Sequence, residues 1–438
     1  MNFKLIIPIM CFLSIFLPIS TTNAYQATFH PRLTLSTEYT DNLERENEDE
    51  QDDIITVVSP GFTLSIFGQT QGIDLSYDPA YAWYQENSEN NTLRHTANLG
   101  MWKQATRNTR LYFNDAFLYT EDPGAEDRDA DAEDRQGRDI YYTNTATVGM
   151  TNQFGPSDVF TLEYNYRILE SDDDTDDDSV EHNPTAALTY YPFRNFGTET
   201  TFSFSQTDYD NGDDDIDSDD DYNYYDGSIR LIQRLSRTFS GFVGYNYTFM
   251  DYVDNEDENY ELYYPNIGFS YEREEIANIH VSVGYLVIDY EEETEGLEDD
   301  KRWQVNGDIS RIWQFRTAAL NITGASGYDQ PSFDQDDLGL RIYYDAGAVF
   351  NHEFLRDISY EINGGYRLDH YIDINPERKD KTTTAGVGLI FSRIEFMTAR
   401  IDYAYRNVTS DESEEEYTEN RFTFTIVLTP RNPIYLKH

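Results

Sequence analysis

From about Phe29 onward, apolar and polar positions alternate with a period of two through most of the chain. Ile73, Leu75, Tyr77, Tyr81 and Trp83 share one face and Asp74, Ser76, Asp78, Ala80 and Ala82 the other, with only Pro79 interrupting the apolar side. The pattern recurs as Phe160, Leu162, Tyr164, Tyr166 and Ile168 against Thr161, Glu163, Asn165 and Arg167. It returns as Ile358, Tyr360, Ile362, Tyr366 and Leu368 against Ser359, Glu361, Asn363, Arg367 and Asp369. Near the end it reads Phe422, Phe424, Ile426 and Leu428 against Thr423, Thr425 and Thr429, with Val427 the exception. Period two is the periodicity of a β-strand, whose successive side chains point to opposite faces.

The connections sort by length and charge. Long ones fall at 43–53, 86–92, 123–139, 170–181, 208–221, 253–259, 291–300, 329–337, 373–381 and 410–418, and most are rich in Asp and Glu. Between them lie short turns: Gln69 to Gln71, Arg107 and Asn108, Gly155 to Ser157, Asn195 to Gly197, Arg237, Glu275 and Ile276, Arg316, Arg356 and Asp357, and Arg393 to Glu395. A soluble β-sandwich also alternates, but it has no reason to segregate its connections this way. A membrane barrel has one, since its turns on one side of the bilayer are short and its loops on the other are long. The predicted fold is therefore all-β: a transmembrane antiparallel up-and-down β-barrel of about 20 strands, roughly 18–22, with long acidic extracellular loops and short periplasmic turns. It forms one domain over 25–438, with no separate plug domain.

Residues 1–24 read as a secretory signal peptide, with Lys4 at the start, an apolar run from Leu5 to Ile19 and small residues Thr22 and Ala24 at the exit. Pro8 and Pro18 and the shortness of the run argue against a retained membrane helix. The only cysteine, Cys11, lies inside this run, so the mature chain is expected to have neither disulfides nor thiolate metal ligands. No later stretch approaches the length of a spanning helix, so a membrane location has to come from strands. The chain carries 32 Lys+Arg against 82 Asp+Glu, a formal charge of -50, which excludes nucleic acid as a partner because phosphate binding needs a basic footprint. With 36 Tyr and 26 Phe it has the aromatic supply that barrels concentrate at membrane interfaces. Expected surroundings are outer-membrane lipid, lipopolysaccharide and the barrel-assembly machinery of a Gram-negative cell.

Candidate chemistry is sparse. Arg167, Arg230, Arg234, Arg367, Arg400 and Arg406 fall on the polar parity of their strands, as do Glu163, Glu361, Asp369 and Asp402, so all ten are candidates to line the lumen. Two readings stay open: an arginine ladder acting on passing solute, or mutual ion pairs bracing the wall. Nine of the fourteen residues from Asp208 to Asp221 are acidic, as are eight of the twelve from Glu170 to Glu181. Self-repelling, solvated loops account for these tracts, none of which has EF-hand ligand spacing. Loosely bound Ca²⁺ or Mg²⁺ bridging them to lipopolysaccharide phosphates is compatible with the same charge. No cofactor is expected. His30, His95, His182, His280, His352, His370 and His438 are scattered, and no triad or glycine-rich phosphate loop appears, so catalysis is not expected.

The first hairpins carry a resemblance. Tyr39-Thr40-Asp41-Asn42 ends the first strand, Ser59-Pro60-Gly61-Phe62 opens the second, and Leu75-Ser76-Tyr77 lies in the third. In these stretches and in overall layout the chain resembles the type 2 β-barrel porins of Gram-negative outer membranes, some relatives of which are linked to exopolysaccharide export and exosortase systems. The resemblance implies an outer-membrane barrel, porin-like, serving as a channel or accessory barrel beside polysaccharide-secretion components, with no catalytic residues to carry over. One departure concerns the C-terminus: the expected last strand, Tyr417 to Thr429, is followed by a tail through Arg431 to Tyr435, Leu436, Lys437 and His438, where barrels usually end on an aromatic strand residue. Besides a channel, two alternatives are a surface-interaction barrel with cation-binding acidic loops and a sealed lumen, and a soluble secreted β-protein.

Overall fold

The computed structural model describes residues 25–125, 135–171, 178–210, 221–253, 259–291, 300–329, 340–372 and 377–436. The expected leader at 1–24, the tips of most acidic connections and His438 lie outside these residues. Twenty long strands follow one another: β1 (Gln26–Thr40), β2 (Asp53–Phe67), β3 (Gln71–Tyr84), β4 (Thr92–Gln104), β5 (Thr109–Thr120), β6 (Tyr141–Gln153) and β7 (Val159–Ser171). Next come β8 (Asp178–Phe193), β9 (Phe196–Asp210), β10 (Tyr222–Arg234), β11 (Phe239–Tyr252), β12 (Tyr260–Arg273), β13 (Ala277–Tyr290) and β14 (Asp300–Gln314). The series ends with β15 (Ala318–Asp329), β16 (Arg341–Leu355), β17 (Ile358–Tyr371), β18 (Arg378–Ile394), β19 (Met397–Thr409) and β20 (Tyr417–Leu428), after which a short β21 (Ile434–Leu436) is added. There is no α-helix among the described residues.

Each strand pairs antiparallel with the next, and β20 pairs antiparallel with β1, from Leu33 opposite Leu428 to Thr40 opposite Arg421, closing the cylinder. β20 leaves the first residues of β1 uncovered. The tail supplies what is missing: Ile434, Tyr435 and Leu436 pair with Phe29, Thr28 and Ala27. The unusual C-terminus thus extends the seam, and Tyr435 puts an aromatic at its edge.

Lipid would meet a belt of exposed apolar side chains, among them Tyr81, Trp83, Leu162, Phe202, Leu231, Val243, Ile267, Trp303, Ile362, Ile401, Phe422 and Phe424. Their strand neighbours point inward, as the alternation predicts. Strands of 12 to 17 residues exceed the roughly 9–11 that a tilted strand needs to span hydrocarbon, so their ends project beyond the bilayer. The short turns are tight: Arg194 and Asn195 join β8 to β9, and Arg356 and Asp357 join β16 to β17 with Asp357 at a φ of 70°. Some boundaries move by a residue or two from the sequence reading: Gly197 belongs to β9, and Arg393 and Ile394 to β18.

The inner face departs from the predicted polarity in one sector. Met250, Tyr252, Tyr260, Leu262, Tyr264, Leu286, Ile288 and Tyr290 share the parity of inward Ser282 and Asn266, yet they pack into one buried cluster with Tyr209, Tyr222, Leu340 and Ile342. The reason is local composition. β11, β12 and β13 carry apolar residues on both parities toward their long-connection ends, so that half of the inner wall forms a packed core where a wetted surface was expected. Gly284 permits part of it: a Cβ there would lie 2.5 Å from the Tyr264 ring, which instead crosses β13 so that its hydroxyl donates to the carbonyl of Gln304 at 3.1 Å and its ring meets Tyr328.

A lysine at Ile401, mid-strand on the lipid face, should cost about 2–4 kcal/mol, whereas Ser36→Lys, pointing inward near Glu38, should be close to neutral. Urea unfolding midpoints of the two variants in lipid vesicles measure the difference.

Candidate functional site: the lumen wall and its mouth

The inner wall is built from cross-strand charge pairs. Arg32 on β1 donates through Nε to Asp78 on β3 at 2.6 Å and through Nη1 to Thr63 on β2 at 3.0 Å, bridging three strands. The close approach is possible because Gly61, opposite Arg32, has no Cβ to collide with the Asp78 carboxylate. Across the β1–β20 seam, Arg400 on β19 bonds Asp402 at 2.6 Å and Glu361 on β17 at 3.1 Å. These groups keep 24 to 38% of their side-chain surface accessible, so the middle of the lumen is wet.

The sequence-predicted lining residues separate into local groups. Arg167 pairs with Glu181 at 3.6 Å, Glu163 accepts from the Tyr112 hydroxyl at 2.8 Å, and Glu361, Arg400 and Asp402 form the triad just described. Arg367 pairs with Asp369 at 2.8 Å, and Arg341 approaches the same carboxylate at 3.6 Å. Arg406 donates to the hydroxyl of Tyr417 at 2.8 Å. Arg230 lies over the ring of Phe242 at 5.2 Å; Arg234 lies over Tyr191 at 3.5 Å and donates to the Ser157 hydroxyl. All ten are on inward parity, but they are distributed around the wall and do not make a single ring.

The densest arrangement was not legible in the strands at all. It lies at the long-connection end, where residues 41–52, 121–125 and 135–140 fold over the inner face of β1–β4 and β20. Leu43 seats itself, fully buried, against Ile55, Ala82 and Tyr84. Around it Arg45, Arg94, Arg138 and Arg421 interleave with Glu38, Glu121, Asp122 and Glu419. Arg45 pairs with Glu419 at 3.5 Å and donates to the carbonyls of Pro123 and Arg135. Arg138 donates to the Leu43 carbonyl at 2.9 Å, to the Tyr84 hydroxyl at 3.2 Å and to Asp122 at 3.3 Å. Arg94 holds Glu121 at 2.5 Å and Asp122 at 3.4 Å, while Arg421 holds Glu419 at 2.7 Å and Glu38 at 3.4 Å.

The four positive and four negative groups balance, which is what allows them to be buried together. Gly124 sits where a Cβ would come within 3.0 Å of the guanidiniums of both Arg421 and Arg45, so a side chain there would displace the network. Arg45 itself adopts a φ of 58°, a left-handed backbone that a non-glycine residue holds only when its surroundings fix it. Tyr417 joins this latch to Arg406, since its ring faces Arg45 at 5.6 Å. The sequence signal was faint: Arg45 is the lone cation of connection 43–53, and Arg138 is one of three arginines in the acidic connection 123–139.

Burial by itself would push the Asp122 carboxyl up, but the guanidiniums of Arg138, Arg94, Arg421 and Arg45 outweigh it and hold the group well below the usual carboxylate range. Glu44 behaves oppositely, its carboxyl pushed up by burial. Among the described residues no cluster of His, Cys, Asp and Glu has the form of a metal site.

A family model described as "Putative beta-barrel porin 2" matches residues 26–167 and 192–429. No curated protein matches the sequence. Among solved structures, a mutant ferric enterobactin receptor of Pseudomonas aeruginosa in complex with enterobactin superposes with a TM-score of 0.51 at 8% identity, covering 92% of this chain and 81% of that one. The siderophore receptor PirA of the same organism gives 0.48 at 9% identity over 91% and 80% of the two chains. The outer membrane protein opdK, also from Pseudomonas aeruginosa, gives 0.41 at 9% identity over 92% and 99%. At such identities the likeness concerns the fold alone.

Asp122→Asn leaves Arg94 and Arg138 short of one countercharge and should loosen the docked segments by about 3 kcal/mol. Trypsin cleavage after Arg45, absent in the parent, should then appear in the fragment masses while the barrel stays intact. The depressed Asp122 group is fully ionised above its unfolded value, so its contribution is present at neutral pH and is lost only as pH falls through the depressed folded value. Glu44, raised, weakens docking as pH climbs. Segment 41–52 should therefore resist pepsin at about pH 4, where an ordinary carboxylate is half protonated, and yield only in stronger acid.

Proposed function

Because the chain belongs to the β-barrel porin 2 family and is an outer-membrane, porin-like barrel, we propose that its lumen conducts small hydrophilic solutes by diffusion, narrowed at the long-connection end by the docked residues 41–52, 121–125 and 135–140. The carrying observation is the pair of opposed surfaces: an apolar outer belt, and an inner wall on which Arg32, Asp78, Arg400, Glu361 and Asp402 remain open to water. Charged groups held by cross-strand partners give a rigid, hydrated lining. Such a lining suits polar solutes and repels apolar ones. No catalytic role is assigned to the wall: its described residues offer chiefly pairs of opposite charge, although the Ser270 hydroxyl lies 2.9 Å from Nδ1 of His280.

A narrower role beside exopolysaccharide export has the family resemblance as its support. A polymer would need the latch to open. A sealed, surface-interacting barrel is the second reading, favoured by the buried latch and by the apolar cluster on the inner face of β9–β16. In that reading the acidic connections gather Ca²⁺ or Mg²⁺ against lipopolysaccharide.

Purified protein in a planar bilayer should give discrete conductance steps, and removing 41–52 should enlarge them about twofold or more, given how much of the mouth that segment fills. Silent bilayers with correctly folded protein, before and after the deletion, favour the sealed barrel instead. Deleting the gene should lower secreted polysaccharide; unchanged secretion removes the narrower role.

A further inference from the structure

At the opposite end of the lumen, the inner faces of β8–β13 and two of their turns surround a recess of ≈ 750 Å³. That volume is in the range of sites that hold a small organic molecule, roughly 300–1,000 Å³. Its charge runs against the rest of the chain. Arg194 and Arg237 stand at its rim in the turns, and Arg234 and Arg230 follow on the inward face of β10, against Glu199 and Glu272. In a protein with a formal charge of -50, four guanidiniums facing two carboxylates make a local positive surface.

Elsewhere on the wall most arginines are engaged by carboxylates, as Arg32, Arg94, Arg167, Arg367, Arg400 and Arg421 are. Arg230 and Arg234 differ: among the described residues neither makes an ion pair with an acid, although Glu199 stands directly opposite Arg230 in the β9–β10 register. Each is instead held by an aromatic ring, Arg230 over Phe242 and Arg234 over Tyr191. An aromatic ring beside a guanidinium takes none of its N–H donors, so apart from the one that Arg234 gives Ser157 they stay available to planar carboxylate or phosphate oxygens. The four-residue spacing from Arg234 to Arg230 puts the second about 13 Å deeper along the strand, so an anion entering from the rim meets successive positive groups.

We infer that this recess is a binding site for small anionic polar solutes, bearing a carboxylate or a phosphate, at the short-turn end of the lumen. The inference rests on the lumen being reached by solute, and it gives the conducted solutes a charge class. Small sugar acids and sugar phosphates have the size and the groups it accepts.

The test is calorimetric titration of the full-length barrel in detergent at low ionic strength, with inorganic phosphate, glucuronate and glucose as separate probes. Saturable binding of phosphate, glucuronate or both, with none of glucose, is the expected result, and the two anions distinguish which oxyanion is preferred. The double substitution Arg230→Gln and Arg234→Gln should weaken binding at least tenfold, Arg234→Lys should weaken it less, and Arg316→Gln, in a turn outside the recess, should leave it unchanged. Equal affinity in the double variant, binding of glucose alongside the anions, or no saturable heat with any probe overturns the site. Conductance is measured on the same preparations. A silent bilayer with intact anion binding defeats the channel and spares the site, whereas conductance without binding defeats the site alone.

Discussion

Backbone hydrogen bonding is the constraint on which everything else here depends. In hydrocarbon an unpaired N–H or C=O has no water to turn to, so a sheet crossing a bilayer has to close on itself. The β1–β20 seam accomplishes this, and the short β21 shows how strictly it is met: three residues beyond the last long strand return to cover the uncovered start of β1. Once closure is given, period-two alternation does the rest. One parity is exposed to lipid and the other encloses a volume.

How that volume is used differs along the barrel axis. In the middle, partly hydrated ion pairs such as Arg32–Asp78 and Arg400–Glu361 reach across an intervening strand and stiffen the wall. At the long-connection end, two connections turn inward and are clamped by a charge-balanced network, with Leu43 as the apolar anchor. Low accessibility strengthens each of those interactions and penalises any that is removed, so the network behaves as a unit. At the short-turn end Arg230 and Arg234 lie against rings and, among the described residues, form no ion pair with a carboxylate. A latch at one end and a receptive surface at the other give the lumen a direction.

The inner cluster of β9–β16 adds an asymmetry around the circumference. Tyrosines, Met250, Leu262, Leu286 and Ile288 fill the space beside one half of the wall, leaving the charged pairs on the other half as the hydrated side. Packing of this kind lets a wide barrel have a narrow path. The same cluster rigidifies the strand ends that project beyond the bilayer, against which long connections can rest.

Much of the architecture was legible in the residues. Alternation, the parity of connection lengths and the aromatic supply determine an antiparallel barrel of about twenty strands, because each follows from local stereochemistry and from the two solvents that a strand's faces meet. The inward parity of Arg167, Glu361 or Arg400 was readable for the same reason. What the tertiary structure decided is which of those charges find partners, since Glu38 and Arg421, or Arg45 and Glu419, are distant in sequence and meet only when the cylinder closes and its connections fold in. Runs such as Tyr285 to Ile288, apolar on both parities, announce a break in the pattern but cannot say that a core fills the lumen there. Contacts between strands far apart in the chain are set by curvature and closure, and no single segment encodes either.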